Sequence, residues 1–344
     1  GKMFRVISEK YSCNVIGVGL GGATTNVYSI YDGKFVRTVS ANLGMSYSIC
    51  NVLREAGTQN IMRWLPFEGD TIDLCNRLRG KMIRPTTIPE TLEELLIEHA
   101  VAREALRLGF KHHKFLARPL RGISRKRKDI ADVFAYDLGL QTYIDMLRIE
   151  WLVGTGGLLS RAPRRAQSAL ILIDAFQPEG VTKLAQDSVF MMPHLGVLST
   201  VHPEVAMEIF EKDCLVRLGT CVAPRGQVQK ENEQEEVMEI KAEMPDGTVI
   251  AKKLILGTLE KIPLKQFEQA IVEIVPGRAF DIGAGLGQTL STTIEGGVVG
   301  MIIDARGRPL VLPEDPEKRR RKLLEWFGVL DVYPEQIHER SEVN

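Results

Sequence analysis

Two glycine clusters have the composition and spacing to hold a ligand. The first is Gly19-Leu20-Gly21-Gly22-Ala23-Thr24-Thr25-Asn26. Closely spaced glycines let successive backbone N–H groups converge on an anion, and the threonine hydroxyls that follow add donors, so such a turn can cradle phosphate oxygens. A tight turn that needs positive φ would use the same glycines. The second cluster, Gly154-Thr155-Gly156-Gly157, ends the apolar run Trp151-Leu152-Val153 and precedes a helical pattern. At a strand-to-helix junction glycines let a flat base or a ribose approach the backbone.

Other chemistry-bearing residues have simpler readings. Asp281-Ile282-Gly283-Ala284-Gly285-Leu286-Gly287 looks like the S-adenosylmethionine loop of a methyltransferase. That fold needs several βα units after the loop, and the remaining chain offers mostly β structure and one helix. The basic groups Arg121, Arg125, Lys126, Arg127, Lys128 and Arg319, Arg320, Arg321, Lys322 are not interleaved with aromatics, and solvated surface accounts for them. His112 and His113 are adjacent and cannot share a helix face, while His194 and His202 have no cysteine or carboxylate at ligand spacing. Met191 and Met192 are expected in the core.

The 344-residue length allows two domains, and 44% hydrophobic with 26% charged residues is an ordinary globular balance. A formal net charge of zero provides no global field for nucleic acid or an anionic membrane. Five cysteines with no CxxC pair fit neither a disulfide framework nor a thiolate zinc site, so a reducing cytoplasm is expected. No signal peptide or membrane-spanning run is evident. Gly1 and Lys2 read as a cut end, with no element before the first strand, and the start is expected to be internal to a longer protein.

The elements that must position the two turns follow from periodicity. Runs 15–18, 24–31 and 35–39 read as strands, the last two joined by Asp32-Gly33 as a hairpin. This is how an RNase H-like or actin-like subdomain opens. Helical patterns cover 46–56, stopped by Gly57, and 92–115, where Thr91 and Glu94 have capping-box spacing. Pro163 begins a helix with Ala166, Ala169, Leu170, Ile173 and Phe176 on its apolar face. A polar stretch at 224–235 reads as a linker or exposed loop, residues 237–255 as a hairpin around Asp246-Gly247, and 315–327 as a closing charged helix.

The stretches 21–30, 41–53, 83–87, 98–108 and 152–224, the last including SRAPRRAQSALILIDAFQPEGVTKLAQDSVFMMPHLGVL, resemble the glutamate mutase MutL family. That family is unrelated to the mismatch-repair protein of the same name. GMIIDARGRPLVLP at 300–313 is similar to the tail of many members. The resemblance implies an α/β fold with an actin-like (RNase H-like) ATPase lobe over 1–225 and a β-rich C-terminal region over 226–344. It implies ATP with magnesium, with Gly21, Gly22, Ala23, Thr24 and Thr25 near the phosphates and Gly154, Gly156 and Gly157 near the nucleoside. The implied role is an accessory, reactivating ATPase for an adenosylcobalamin-dependent mutase such as glutamate mutase, with no nucleic-acid or membrane partner. Arg161, Arg164 and Arg165, beside the second turn, are candidates for a contact that senses nucleotide.

Two departures qualify that role. The family pattern begins the first loop with an aspartate and usually ends it with another, and here those positions are Gly19 and Asn26. An aspartate would help hold magnesium or orient the attacking water, and glycine has no oxygen to offer. Actin-like ATPases also carry a first phosphate loop in an N-terminal lobe, for which there is no room before Asn14. Hydrolysis by this chain alone is therefore not expected. A non-hydrolysing binding or scaffolding protein is the alternative, and a small-molecule kinase on the same superfold is a third reading that no residue constellation singles out.

Overall fold

A computed structural model describes residues 1–118, 142–226 and 235–334. The basic run at Arg121–Lys128 and most of the polar linker lie outside these residues. The chain opens on helix α1 (Lys2–Tyr11), which corrects the expectation that nothing precedes the first strand. Its signal is Met3, Phe4 and Ile7 at helical spacing, and all three are buried.

Strands β1 (Val15–Leu20), β2 (Thr25–Tyr31) and β3 (Lys34–Ser40) form an antiparallel meander. Asp32 and Gly33 have φ of 48° and 73°, the pair of positive values that a two-residue hairpin turn requires. Helices α2 (Ile49–Ala56), α3 (Thr58–Met62), α4 (Thr71–Ile83) and α5 (Leu92–Leu116) follow. Helix α2 starts three residues later than its pattern suggests, its first i→i−4 bond running from Val52 N to Ser48 O, while Met45 N and Ser46 N donate to the carbonyls of Gly21 and Gly22. The expected capping box between Thr91 and Glu94 starts α5.

After the first break, between residues 142 and 226, come β4 (Trp151–Thr155), α6 (Gly157–Ser160), α7 (Arg165–Phe176), β5 (Gly180–Asp187), α8 (Met192–Leu198), α9 (Pro203–Ile209) and β6 (Leu215–Ala223). The later strands are β7 (Arg225–Gly226), β8 (Glu236–Glu243), β9 (Val249–Ile255), β10 (Leu259–Ile262), β11 (Gln269–Pro276), β12 (Phe280–Asp281), β13 (Leu290–Glu295) and β14 (Gly300–Asp304). Helix α10 (Pro316–Val329) closes the described chain, with Asp315 capping its N-terminus.

The 8-stranded sheet has the order β10-β14-β6-β5-β4-β1-β2-β3. Strands β1, β4 and β5 are parallel neighbours, and β6 runs against β5. Both faces of these central strands are covered, which is why VIGVGL and WLVGT read as nearly continuous apolar runs. Ile16, Val18 and Leu20 share a core with α5 and α7, whereas Val15, Trp151 and Val153 pack with α1, α8 and α9. A second, 4-stranded sheet, β13-β11-β8-β9, shares a core with Val222, Met301 and Ile303 of the large sheet. Strands β14 and β10 extend the large sheet past β6, so the boundary expected at residue 226 is crossed by hydrogen-bonded strands.

Buried side-chain bonds fix α5 to the sheet and the C-terminal stretch to α5. The His113 ring lies 2.8 Å from Thr38 Oγ1 and 2.9 Å from Ser29 Oγ, bridging β3 and β2. Burial, with His112 adding to it, lowers the His113 pKa to about 4, so the ring is neutral. Arg103 Nε donates to Asp174 Oδ2 at 2.7 Å. Arg306 Nη1 reaches the other Asp174 oxygen at 2.9 Å, an ion pair too oblique for a hydrogen bond. Arg306 and Arg308 both donate to the Asp304 carboxylate. All five side chains are buried.

Burial alone would raise the Asp304 carboxyl, but the guanidiniums of Arg306 and Arg308 outweigh it and hold the group well below the usual carboxylate range. Its contribution to stability is therefore present above the unfolded value of about 3.9 and is lost as pH falls below it. Asp304→Asn is expected to cost about 3–5 kcal/mol at neutral pH, because it leaves buried guanidinium charge uncompensated. Urea unfolding at pH 7 and below pH 4 checks this: the gap between variant and parent narrows at the lower pH.

Candidate functional site

The first glycine turn is held from behind. Met45 N donates to Gly21 O and Ser46 N to Gly22 O, each at 2.9 Å. In a trans peptide the carbonyl and the next N–H point in opposite directions. Tying the Gly21 and Gly22 carbonyls back therefore turns the Gly22 and Ala23 N–H groups outward. Among the described residues nothing accepts from the N–H groups of Gly22, Ala23 or Thr24. The close backing demands glycine at position 44, where a Cβ would lie 2.4 Å from the Ala23 carbonyl carbon, whereas one on Gly22 would meet the Ser46 side chain, Oγ at 2.4 Å.

The second turn lies beside the first, because β1 and β4 pair in parallel with Gly19 opposite Thr155. Gly156 has φ of 112°, and a Cβ there would sit 2.1 Å from Leu20 O. The chain can leave β4 across the end of β1 only without a side chain at this position. Both turns are thus at the carboxyl edge of the parallel strands, where open α/β sheets bind ligands.

The expected site residues separate by exposure. Gly21, Gly22 and Thr24 are partly exposed, and Ala23 and Gly157 are exposed. Thr25 is buried and its hydroxyl donates to Leu43 O at 2.7 Å, so it has no proton left for a ligand. Gly154 is buried, and the space its side chain would take is filled by Leu159 and Leu172 at 3.0 and 3.2 Å. Gly156 is buried against Leu20. Arg164 binds Asp331 and Arg165 Nη1 donates to Ser160 O, so these two arginines are engaged internally, while Arg161 is exposed.

Asp187, at the end of β5, is the residue that sequence reasoning missed. It is fully buried, and its carboxylate accepts from Thr155 Oγ1 at 3.2 Å and from the N–H groups of Val189, Met191 and Met192 at 3.3, 3.1 and 2.9 Å. Ser160 Oγ donates to Asp187 O. The strand registers place Asn26, Gly19 and Thr155 side by side across β2, β1 and β4, and the Thr155 hydroxyl carries that row on to Asp187. Asp187 is the one carboxylate of the row, and its acceptor capacity is spent inside the fold. Burial first, then the charges of Asp187 and Asp213, push the Cys214 thiol up, which makes it a poor nucleophile. The signal for Asp187 in the sequence was an acidic residue closing the strand run 181–186.

A family model described as MutL protein matches residues 1–214, the part of the chain that carries both turns and Asp187. The chain belongs to the MutL family. It is 24% identical over 221 residues to Protein MutL of Clostridium tetanomorphum, an alignment covering 58% of this chain and 45% of that protein. The chain thus spans less than half the length of this MutL relative. The match ends just before β6, so β14, β10 and α10 lie outside the region the MutL model describes.

The remaining motifs are structural. Asp281 Oδ1 accepts from Gly283 N and Gly285 N, closing the methyltransferase-like sequence into a local turn. Among the described residues no group of three His, Cys, Asp or Glu is placed to hold a metal, and no helix is long and apolar enough to cross a membrane. Met192 is buried as expected, whereas Met191 is exposed, because the turn held by Asp187 carries it outward.

The crowding at Gly156 gives a paired prediction. Gly156→Ala is expected to cost roughly 3 kcal/mol or more, from overpacking and a strained φ together. Gly157→Ala, with nothing within 4 Å and no positive φ, is expected to be close to neutral. Denaturant midpoints of the two variants check the difference.

Proposed function

We propose that this chain is the nucleotide-binding part of an actin-like (RNase H-like) accessory protein that serves an adenosylcobalamin-dependent mutase of the glutamate mutase type in the cytoplasm. The observation that carries the reading is the run of free N–H groups at Gly22, Ala23 and Thr24, the first two turned outward, beside the Gly156-Gly157 turn. Backbone donors of this kind suit the phosphates of ATP, with the nucleoside towards β4. The order β3-β2-β1-β4-β5, in which β2 alone runs against the others, supports an RNase H-like lobe.

The row Asn26, Gly19, Thr155, Asp187 favours binding without hydrolysis by this chain. No carboxylate in it is free to hold magnesium or to orient water. Calorimetry with ATP and magnesium is expected to detect weak binding, and a phosphate-release assay to show no turnover above background. A Cβ on Gly19 would meet only Thr155 Cγ2, at 3.6 Å, so Gly19→Asp fits. That variant is expected to make ATP binding more strongly dependent on magnesium, and robust turnover by the parent chain would overturn the non-hydrolysing reading.

The accessory role rests on family membership. An ATP-driven remodelling of a mutase requires that nucleotide change the affinity for the partner, since coupling between two sites is reciprocal. Pull-down of an adenosylcobalamin-dependent mutase by the full-length protein, with and without ATP, is expected to show association that differs between the two conditions. Absence of association in both, with folded proteins, would remove the mutase from the reading.

A further inference from the structure

The turn after β5 presents an aromatic ring at the third position along the carboxyl edge. Phe190 has φ of 59°, a left-handed backbone that bulky residues rarely adopt, and it is 50% exposed. The Asp187 carboxylate holds that conformation by binding the N–H groups on both sides of it, at Val189, Met191 and Met192. Val189 and Met191 are also exposed, at 55% and 37%, so the turn offers an apolar surface rather than burying one. Phe267, also exposed and left-handed, lies under the Arg217 guanidinium at 5.5 Å. Among the described residues no ring or cation covers Phe190.

We infer that Phe190 is the stacking surface for the base of the bound nucleotide. The inference rests on the nucleotide reading above and adds the residue that would contact the base. Its geometry comes from strand order. The phosphate turn follows β1, the Gly156 turn follows β4, and Asp187–Met192 follows β5, the next parallel strand outward. Two strand spacings are about 10 Å, the scale of the distance from the phosphates of a nucleotide to its base. The Thr155–Asp187 hydrogen bond locks the second and third turns together, which keeps Phe190 at the same edge as the first two. An exposed phenyl face suits a purine because stacking needs no hydrogen-bond partner.

Calorimetric titration of the parent chain, Phe190→Ala and Phe190→Trp with ATP and with inorganic tripolyphosphate tests this. Phe190→Ala is expected to weaken ATP binding roughly ten-fold, as loss of one base–aromatic stack does, to leave tripolyphosphate binding unchanged, and Phe190→Trp is expected to restore ATP affinity. Unchanged ATP affinity in Phe190→Ala, with the parent binding ATP, would overturn the stacking role and leave the phosphate site standing. Equal loss of ATP and tripolyphosphate would also overturn it, since that marks collapse of the turn. A parent chain that binds neither ligand would overturn the nucleotide reading and this inference with it.

Discussion

The absence of a side chain at Gly156 is the constraint on which the site depends. The backbone leaving β4 passes so near Leu20 O that one added carbon would fall 2.1 Å from it. That approach brings the end of β4 against the end of β1, and through Thr155 it also engages the end of β5. A bulkier residue would push the three strand ends apart and open the edge at which their turns converge. Gly44 plays the same part behind the first turn, where it lets the loop before α2 bind the Gly21 and Gly22 carbonyls.

A chain of buried charge makes the region beyond β6 part of the same body. Asp174 on α7 lies between Arg103 of α5 and Arg306, and Asp304 at the end of β14 holds Arg306 and Arg308. Removing five ionised groups from water is expensive, and mutual attraction offsets that only where geometry is good and the remaining donors are met. Here they are met in part: Arg308 Nε donates to Pro178 O and the Arg306 guanidinium lies 4.8 Å from the Trp326 ring of α10, while Arg103 Nη2 and Asp174 Oδ1 have no hydrogen-bond partner among the described residues. The network thus specifies how β14 and α10 seat against α5 and α7, more than it adds net stability.

The proposed binding without hydrolysis at this edge has an electrostatic reason. Outward N–H groups carry partial positive charge wherever the chain holds its carbonyls back, so they attract phosphate without any ionised side chain. Metal binding and water activation need a free carboxylate oxygen. Asp187 supplies oxygens, but four donors already occupy them, and its neighbours in the row are Thr155, Gly19 and Asn26. The same four bonds shape the Phe190 turn, so the acid works as a structural anchor.

By itself the sequence determined what depends on local chemistry and periodicity. The Asp32-Gly33 hairpin, the capping box of α5, the apolar face of α7 and the 2 glycine turns as strand ends were all legible, because each is set by residues within one or two turns of chain. The MutL resemblance was legible for the same reason, as contiguous segments. Tertiary structure alone decided which glycines stay exposed: Gly154 and Gly156 are consumed by packing against Leu172 and Leu20, residues distant in sequence. It also decided that β14 and β10 join the large sheet, and that Asp187 accepts a hydrogen bond from Thr155, 32 positions away. Strand partners and long-range acceptors depend on which surfaces meet when the chain closes, and residue type and spacing carry no record of that.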